Sequence, residues 1–423
     1  MHQYSGFFNA PRLYSPPISS NRITDMYQLN FDLNDFLTRF WHKEPVVIKN
    51  GFVDFEDPIS PDEVAGLAME EEIDSRFVTN LDGNWQAQHG PFESFDDFPD
   101  THSQLIIQAA NHWHPGPRAL AEPFRGLPNW LFDDVMICLS MPEGGVGPHI
   151  DQYDVFICQG MGKRRWRVGP LGEYKDANHH TGLRQIEGFE PMIDEILEPG
   201  DILYIPPGYP HEGNTIDVSL SYSVGYRSPK KQELLNGYAD YIIANDKGDV
   251  HYHNPELQTR DEHGMIPKAE YNALNDMLMK LINDEEAKAR WMGEQLSSSR
   301  HELDIMPADP PWQSDELQQF LADGLFLEKV SGLRRYTTRT TRASFSSMVK
   351  PSNCQRAAKH SAKCCVTSKT SLSMNWVHWL TTLLFWRCCW IFATKVCGIH
   401  RLNRPQCCKT IDKTKPSNRK AFL

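Results

Sequence analysis

Between Asp133 and Arg227 the chain reads as one strand after another: DVMICLSM, DVFICQG, RRWRVG, DILYIPP and VSLSYSVGYR, with Gly and Pro turns between them. Close-set short strands separated by turn residues argue a β sandwich or barrel. Upstream, from Met26 to about Trp130, short strands and helices mix. EPVVIKNGF (44–52) predicts a strand ending in a turn. SPDEVAGLAMEEE (60–72) predicts a helix with Ser60 as N-cap, Pro61 at its first position and acids in its first turn. After Pro229 the period becomes helical. Leu274, Met277, Leu278, Leu281 and Ile282 fall at i, i+3, i+4, i+7 and i+8, one apolar face that the barrel or a second subunit would cover. PADPPWQ (307–313) is a linker. SDELQQFLADGLFLEKVSGL then predicts a capped helix ending near Gly324 and the start of a strand, the opening of a small α+β domain.

Charge and cysteine divide the 423 residues near Arg335. Residues 1–335 hold 54 of the 55 acids and 27 of the 43 Lys and Arg, a net of −27. Residues 336–423 hold Asp412 alone against 16 basic residues, a net of +15. Only Cys138 and Cys158 precede that point, and eight cysteines follow it. Two cysteines in a large body fit a reducing cytoplasm. An acidic body argues against direct nucleic-acid binding and suits a basic protein substrate. Residues 1–25 lack the basic start and apolar run of a signal peptide and read as a disordered extension, with Met26 as the expected start. Three readings fit 336–423. A zinc module is disfavoured because the cysteines come as adjacent doublets, which chelate one ion poorly. A membrane anchor at 376–392 is short and contains Arg387, which costs roughly 2.5–3.5 kcal/mol at a helix centre. Out-of-frame translation after a frameshift near Arg335 accounts for the loss of acids, the surge of Cys and Trp, and a domain cut in mid-strand.

GPHIDQYDVF places His149 and Asp151 two residues apart, hence on one face of a strand. A lone H-x-D recurs by chance. EPGDILYIPPGYPHEG adds to it: a turn, a strand led by Asp201 and stopped by Pro206-Pro207-Gly208, then His211. A barrel would bring His211 to His149 and Asp151. Two histidines and a carboxylate on one face of an octahedral metal leave three positions open, the arrangement of non-haem Fe(II) oxygenases. KRRWRV supplies Lys163, Arg164, Arg165 and Arg167 as cations; Arg164 points with Trp166 and the others point away, and two of the four are expected on a solvated face. Tyr153, Asp154 and the histidines of NHWHP (111–115) are expected to be structural.

These segments resemble the JmjC-type 2-oxoglutarate oxygenases, a subset of the cupin fold, and most closely their ribosomal-oxygenase branch. The resemblance runs from about Met26 to about Arg335, roughly 310 of 423 residues. It implies a mainly β fold with helices: a double-stranded β-helix (cupin jelly roll) at 26–228, a helical dimerisation region at 229–306 and an incomplete winged-helix domain at 307–335. Residues 1–25 and 336–423 fall outside it. It implies Fe(II) on His149, Asp151 and His211, 2-oxoglutarate as co-substrate with Arg164 on its far carboxylate, and O2. Cys138 and Ser140 of MICLSM are candidates for a polar contact to that carboxylate, although close relatives carry serine where Cys138 stands. The bacterial members hydroxylate an arginine of the sixteenth large-subunit ribosomal protein. The expected protein is therefore a cytoplasmic, homodimeric protein arginine 3-hydroxylase that engages neither membrane nor nucleic acid. The alternatives are a cupin metalloenzyme working without 2-oxoglutarate, which would show H-x-H, a histidine hydroxylase or demethylase, and an inactive binding protein.

Overall fold

The computed structural model describes residues 27–177, 185–301, 313, 316, 318–319, 326–329 and 399–403. The N-terminal extension, most of the 307–335 segment and most of 336–423 lie outside them. The strands are β1 (Gln28–Leu29), β2 (Val46–Ile48), β3 (Phe52–Val53), β4 (Ser75–Leu81), β5 (Asn84–His89), β6 (Ser103–Ile107), β7 (Phe132–Ser140), β8 (His149–Ile150), β9 (Asp154–Gln159), β10 (Arg164–Val168), β11 (Ile193–Leu197), β12 (Ile202–Ile205), β13 (Pro210–Thr215) and β14 (Ser219–Tyr226). Among them run helices α1 (Leu33–Arg39), α2 (Pro61–Leu67), α3 (Ala110–Trp113) and α4 (Pro115–Leu120).

An eight-stranded sheet, in the order β2-β12-β9-β14-β7-β6-β4-β5, and a four-stranded sheet, β11-β10-β13-β8, make the two halves of the jelly roll. Every pairing in both is antiparallel. The middle of the large sheet is buried on both faces, so β9 and β12 are mostly apolar, while β14 alternates serines with apolar residues. On β9, Phe156 and Cys158 face the helices while Val155 and Ile157 face the barrel interior. The helical face is the larger core. Phe36, the one buried residue of α1, packs its ring against Phe156 at 5.2 Å and Tyr204 at 4.9 Å. Helix α2 starts where its sequence says: Ser60 and Glu63 cap each other reciprocally. It stops at Leu67, short of the acidic run that follows.

The chain divides into two compact units, residues 1–228 with 300–304, and 229–299 with 305–423. The second contains α5 (Lys231–Ala244), α6 (Lys268–Ile282) and α7 (Glu285–Ser297). Tyr238, Ile242, Ala287 and Trp291 form its core, and the Tyr238 hydroxyl donates to the Leu281 carbonyl at 2.8 Å. Helix α6 buries none of its residues. Of its apolar face, Leu281 packs on this core, whereas Leu274 and Leu278 are 45% and 56% exposed. The backbone of 326–329 pairs antiparallel with that of 399–403. Among the described residues no helix is long and apolar enough to cross a membrane.

Candidate metal centre

Strands β8 and β13 pair so that His149 stands directly opposite His211. Their rings lie 4.2 Å apart. Asp151 follows the end of β8 and turns back to them, its Oδ2 3.9 Å from His149 Nε2 and 3.6 Å from His211 Nε2. One ligand atom from each of the three residues lies within 4.8 Å of the others. The Nδ1–H of His149 donates to the Gly147 carbonyl at 2.9 Å and that of His211 to the Tyr209 carbonyl at 3.0 Å. A carbonyl can only accept, so the proton belongs on Nδ1 and both Nε2 lone pairs point inward. Burial, reinforced by the neighbouring His149, pushes His211 down to about 4, so its ring is neutral and able to ligate. The backbone N–H of Gly208 donates to the Asp151 carbonyl at 2.8 Å, and the Tyr153 side chain bonds to the Asp151 carboxylate. Gly147, with φ +76°, turns the chain into β8 where an added Cβ would lie 2.9 Å from the Trp85 ring.

The cationic strand sorts by alternation. Lys163 pairs with Glu198, Arg165 with Asp194 and Arg167 with Glu212, all toward the outside. Three of the four cations thus lie on the outer face, one more than the sequence suggested. Each finds an acid on its own sheet or the turn beside it, and that satisfies it without the interior. Arg164 alone turns in. It is 2% exposed, with its guanidinium 4.9 Å from the centre of the Trp166 ring. Its Nη1 donates to Ser221 Oγ at 2.9 Å, and its Nη2 to Gln104 Oε1 at 3.1 Å and the Gly213 carbonyl at 3.0 Å. None of these partners is a carboxylate. Burial accordingly depresses its pKa. Around it, Arg164 Nε, Trp166 Nε1, Thr215 Oγ1 and Ser219 Oγ are buried without hydrogen-bond partners among the described residues. A buried guanidinium with neutral neighbours and spare polar atoms suits an anion. Val168 stands opposite His211 and Arg164 opposite Thr215, so anion site and triad share one interior face, and the Arg164 guanidinium reaches back to the Gly213 carbonyl, two residues along β13 from His211.

Cys138 and Ser140 sit on β7 at the edge of this anion site. Gln104 Nε2 donates to Cys138 Sγ at 3.3 Å, and Ser140 Oγ donates to Gln104 Oε1 at 2.9 Å. The structure therefore brings all six sequence candidates into one interior and adds Gln104, Thr215, Ser219 and Ser221. The last two carried a signal: VSLSYSV places Ser219, Ser221 and Ser223 on one face of an otherwise apolar strand. Asp154 is structural, accepting from the Tyr204 hydroxyl at 2.5 Å and bonded to His42 Nε2 at 2.8 Å. In NHWHP, Asn111 Oδ1 accepts from Val135 N at 2.7 Å and His114 Nδ1 caps α4 by accepting from Gly116 N at 3.1 Å. A second acid and imidazole cluster, Asp133, Asp134 and His301, has its carboxylates engaged locally: Arg300 lies 3.2 Å from Asp133, and Asp134 accepts from Ala109 N and Gln108 Nε2.

The family model for the JmjC domain matches residues 119–234, and that for the ROXA-like winged helix matches residues 280–347. The chain is 52% identical over 308 residues to the ribosomal protein uL16 3-hydroxylase of Escherichia coli, covering 73% of this chain and 83% of that one. It belongs to the JmjC ribosomal oxygenases. A probable ribosomal oxygenase of Haemophilus influenzae is 31% identical over 312 residues, 70% of this chain and 76% of that one. The X-ray structure of E. coli ycfD superposes with a TM-score of 0.80 at 45% identity, covering 88% of this chain and 98% of that chain. The structure of the same protein in complex with cobalt and 2-oxoglutarate gives 0.76 at 44% identity, with the same coverage.

As a JmjC ribosomal oxygenase the chain uses Fe(II), 2-oxoglutarate and O2. Its residues fit both groups. Two imidazoles and a carboxylate are a donor set for a divalent first-row metal. The orphaned polar atoms around Arg164 fit a carboxylate that would pair with them.

Proposed function

We propose that this oxygenase hydroxylates an arginine side chain of ribosomal protein uL16 in the cytoplasm, and that it works as a homodimer. The observation that carries the catalytic reading is the buried, acid-free Arg164 on the same interior face as the convergent His149, Asp151 and His211. The substrate reading rests on the likeness to the uL16 3-hydroxylase of E. coli and on the charge of −27 over residues 1–335, which favours encounter with a basic ribosomal protein.

Iron, when bound, supplies oxygen activation: one atom of O2 leaves in the succinate formed from 2-oxoglutarate with loss of CO2, and the other enters the substrate C–H bond. His149, Asp151 and His211 would hold the ion. The Nδ1–H bonds to the Gly147 and Tyr209 carbonyls fix both imidazole planes, so the ligand atoms do not need to reorganise. Arg164 orients the co-substrate by its far carboxylate, with Thr215 and Ser219 offering hydroxyls beside it. Trp166, Val168, Val155 and Ile157 wall the interior with apolar surface that excludes water.

The test is intact-mass measurement of a uL16 fragment incubated with the full chain, Fe(II), 2-oxoglutarate and air, beside His149→Ala. Gain of one oxygen atom with the wild type alone, located on an arginine by fragmentation, is the expected result. Consumption of 2-oxoglutarate without that gain would refute the substrate, and neither would refute the chemistry.

A further inference from the structure

We infer that Gln104 is a positioning residue that keeps Arg164 available as an uncompensated cation, and that its neutrality sets the affinity for the co-substrate. This rests on the reading of Arg164 as the anchor of the 2-oxoglutarate far carboxylate.

Gln104 is 2% exposed on β6, directly opposite Ser140 of β7. Its Oε1 takes two donors, Arg164 Nη2 at 3.1 Å and Ser140 Oγ at 2.9 Å, and its Nε2 donates to Cys138 Sγ at 3.3 Å. The amide orientation follows from these contacts, because a guanidinium cannot accept a hydrogen bond. A glutamate has the same shape and could accept from the same two donors. It would also pair a buried guanidinium that has no acid among its hydrogen-bond partners. Burial of an unpaired charge is costly, so stability alone would favour a carboxylate at 104. The amide instead fixes the arm of Arg164 and leaves its charge for a ligand, a stability concession of the kind made at binding sites. Cys138, the titratable thiol beside Arg164, does not compensate it either, since burial raises its pKa and keeps it protonated.

The experiment uses the full chain with Mn(II) in place of iron, without O2, and titrates 2-oxoglutarate by calorimetry for wild type, Gln104→Glu, Gln104→Met and Arg164→Gln. Aerobic KM and kcat complete the set. Gln104→Glu is expected to bind Mn(II) normally, melt no lower than wild type, and bind 2-oxoglutarate about 100-fold more weakly, the scale of one lost charge-assisted contact, with the defect in KM. Gln104→Met, which removes the bonds and adds no charge, is expected to lose about 10-fold. A merely structural role predicts the reverse order, because glutamate preserves the shape and methionine does not. Binding by Gln104→Glu within threefold of wild type, or no weaker than by Gln104→Met, overturns the inference, as does failure of the glutamate variant to fold. Normal binding by Arg164→Gln overturns the Arg164 reading itself; loss there with normal binding by Gln104→Glu overturns only the role of Gln104.

Discussion

Arg164 and Lys163 are neighbours with opposite fates. Lys163 is an exposed partner of Glu198, while Arg164 is enclosed with neutral donors and acceptors. A lysine at 164 would keep the charge and lose the fork that reaches Ser221, Gln104 and the Gly213 carbonyl together. Arg164→Lys is therefore expected to raise KM for 2-oxoglutarate roughly 10- to 100-fold with metal affinity unchanged, checked by steady-state kinetics beside Mn(II) titration. Unchanged KM would show that a point charge suffices. Cys138→Ser keeps an acceptor for Gln104 Nε2 and removes the thiol, and kcat/KM is expected to stay within about threefold. The spacing of His149 and Asp151 and the alternation around Arg164 could be counted in the sequence, although Asp151 lies past the end of β8 and His211 falls within β13 instead of in a turn. Gln104 was not legible there. It comes from a strand 45 positions before His149, in SQLII, where nothing marks a glutamine as facing a cation until the β6–β7 register is known.

At the scale of elements, β10 and β13 meet through a bare backbone position. Gly213 stands opposite Trp166, and a Cβ there would lie 2.7 Å from the indole. Gly213→Ala is expected to displace the indole that stacks on Arg164, costing about 1–3 kcal/mol from overpacking. Urea unfolding would measure it, and a variant as stable as wild type would mean the ring has room to move. Helix α4 carries a pH dependence. His114 caps it through an unprotonated Nδ1, and burial lowers its pKa, the Glu63 carboxylate opposing only in part. The unfolded chain takes up this proton more readily than the folded one, so its contribution is whole above about pH 6.5 and is lost as pH falls through the lower folded value. His114→Asn keeps an acceptor for Gly116 N–H and should flatten the loss of unfolding free energy between pH 7 and pH 5; parallel curves would refute the assignment. The strand succession from Asp133 to Arg227 was readable from period and turns. The length of β8 was not, since its two paired residues are set by the partner strand, and the exposure of Leu274 depends on what α5 and α7 leave uncovered.

At the scale of the whole molecule, α6 presents Leu274 and Leu278 with Tyr271 at 63% exposure, a patch of the kind soluble chains cover by association. Leu274→Asp with Leu278→Asp is expected to convert the proposed homodimer to a monomer in sedimentation at micromolar concentration with Mn(II) binding retained; an unchanged mass would refute this face as the interface. The acidic balance before Arg335 and the basic balance after it were visible by counting. The pairing of backbone 326–329 with 399–403 joins the two sides of that divide and had no signal in the sequence. The direct apposition of His149 and His211 also has a consequence in time. During synthesis the first two ligands leave the ribosome about sixty residues before the third, roughly 3–12 s at about 5–20 residues per second. For that interval the nascent chain offers only a weak two-armed chelate to any passing ion. The three donors come together only once β13 has paired with β8, so discrimination among ions belongs to the closed barrel and not to the H-x-D segment alone.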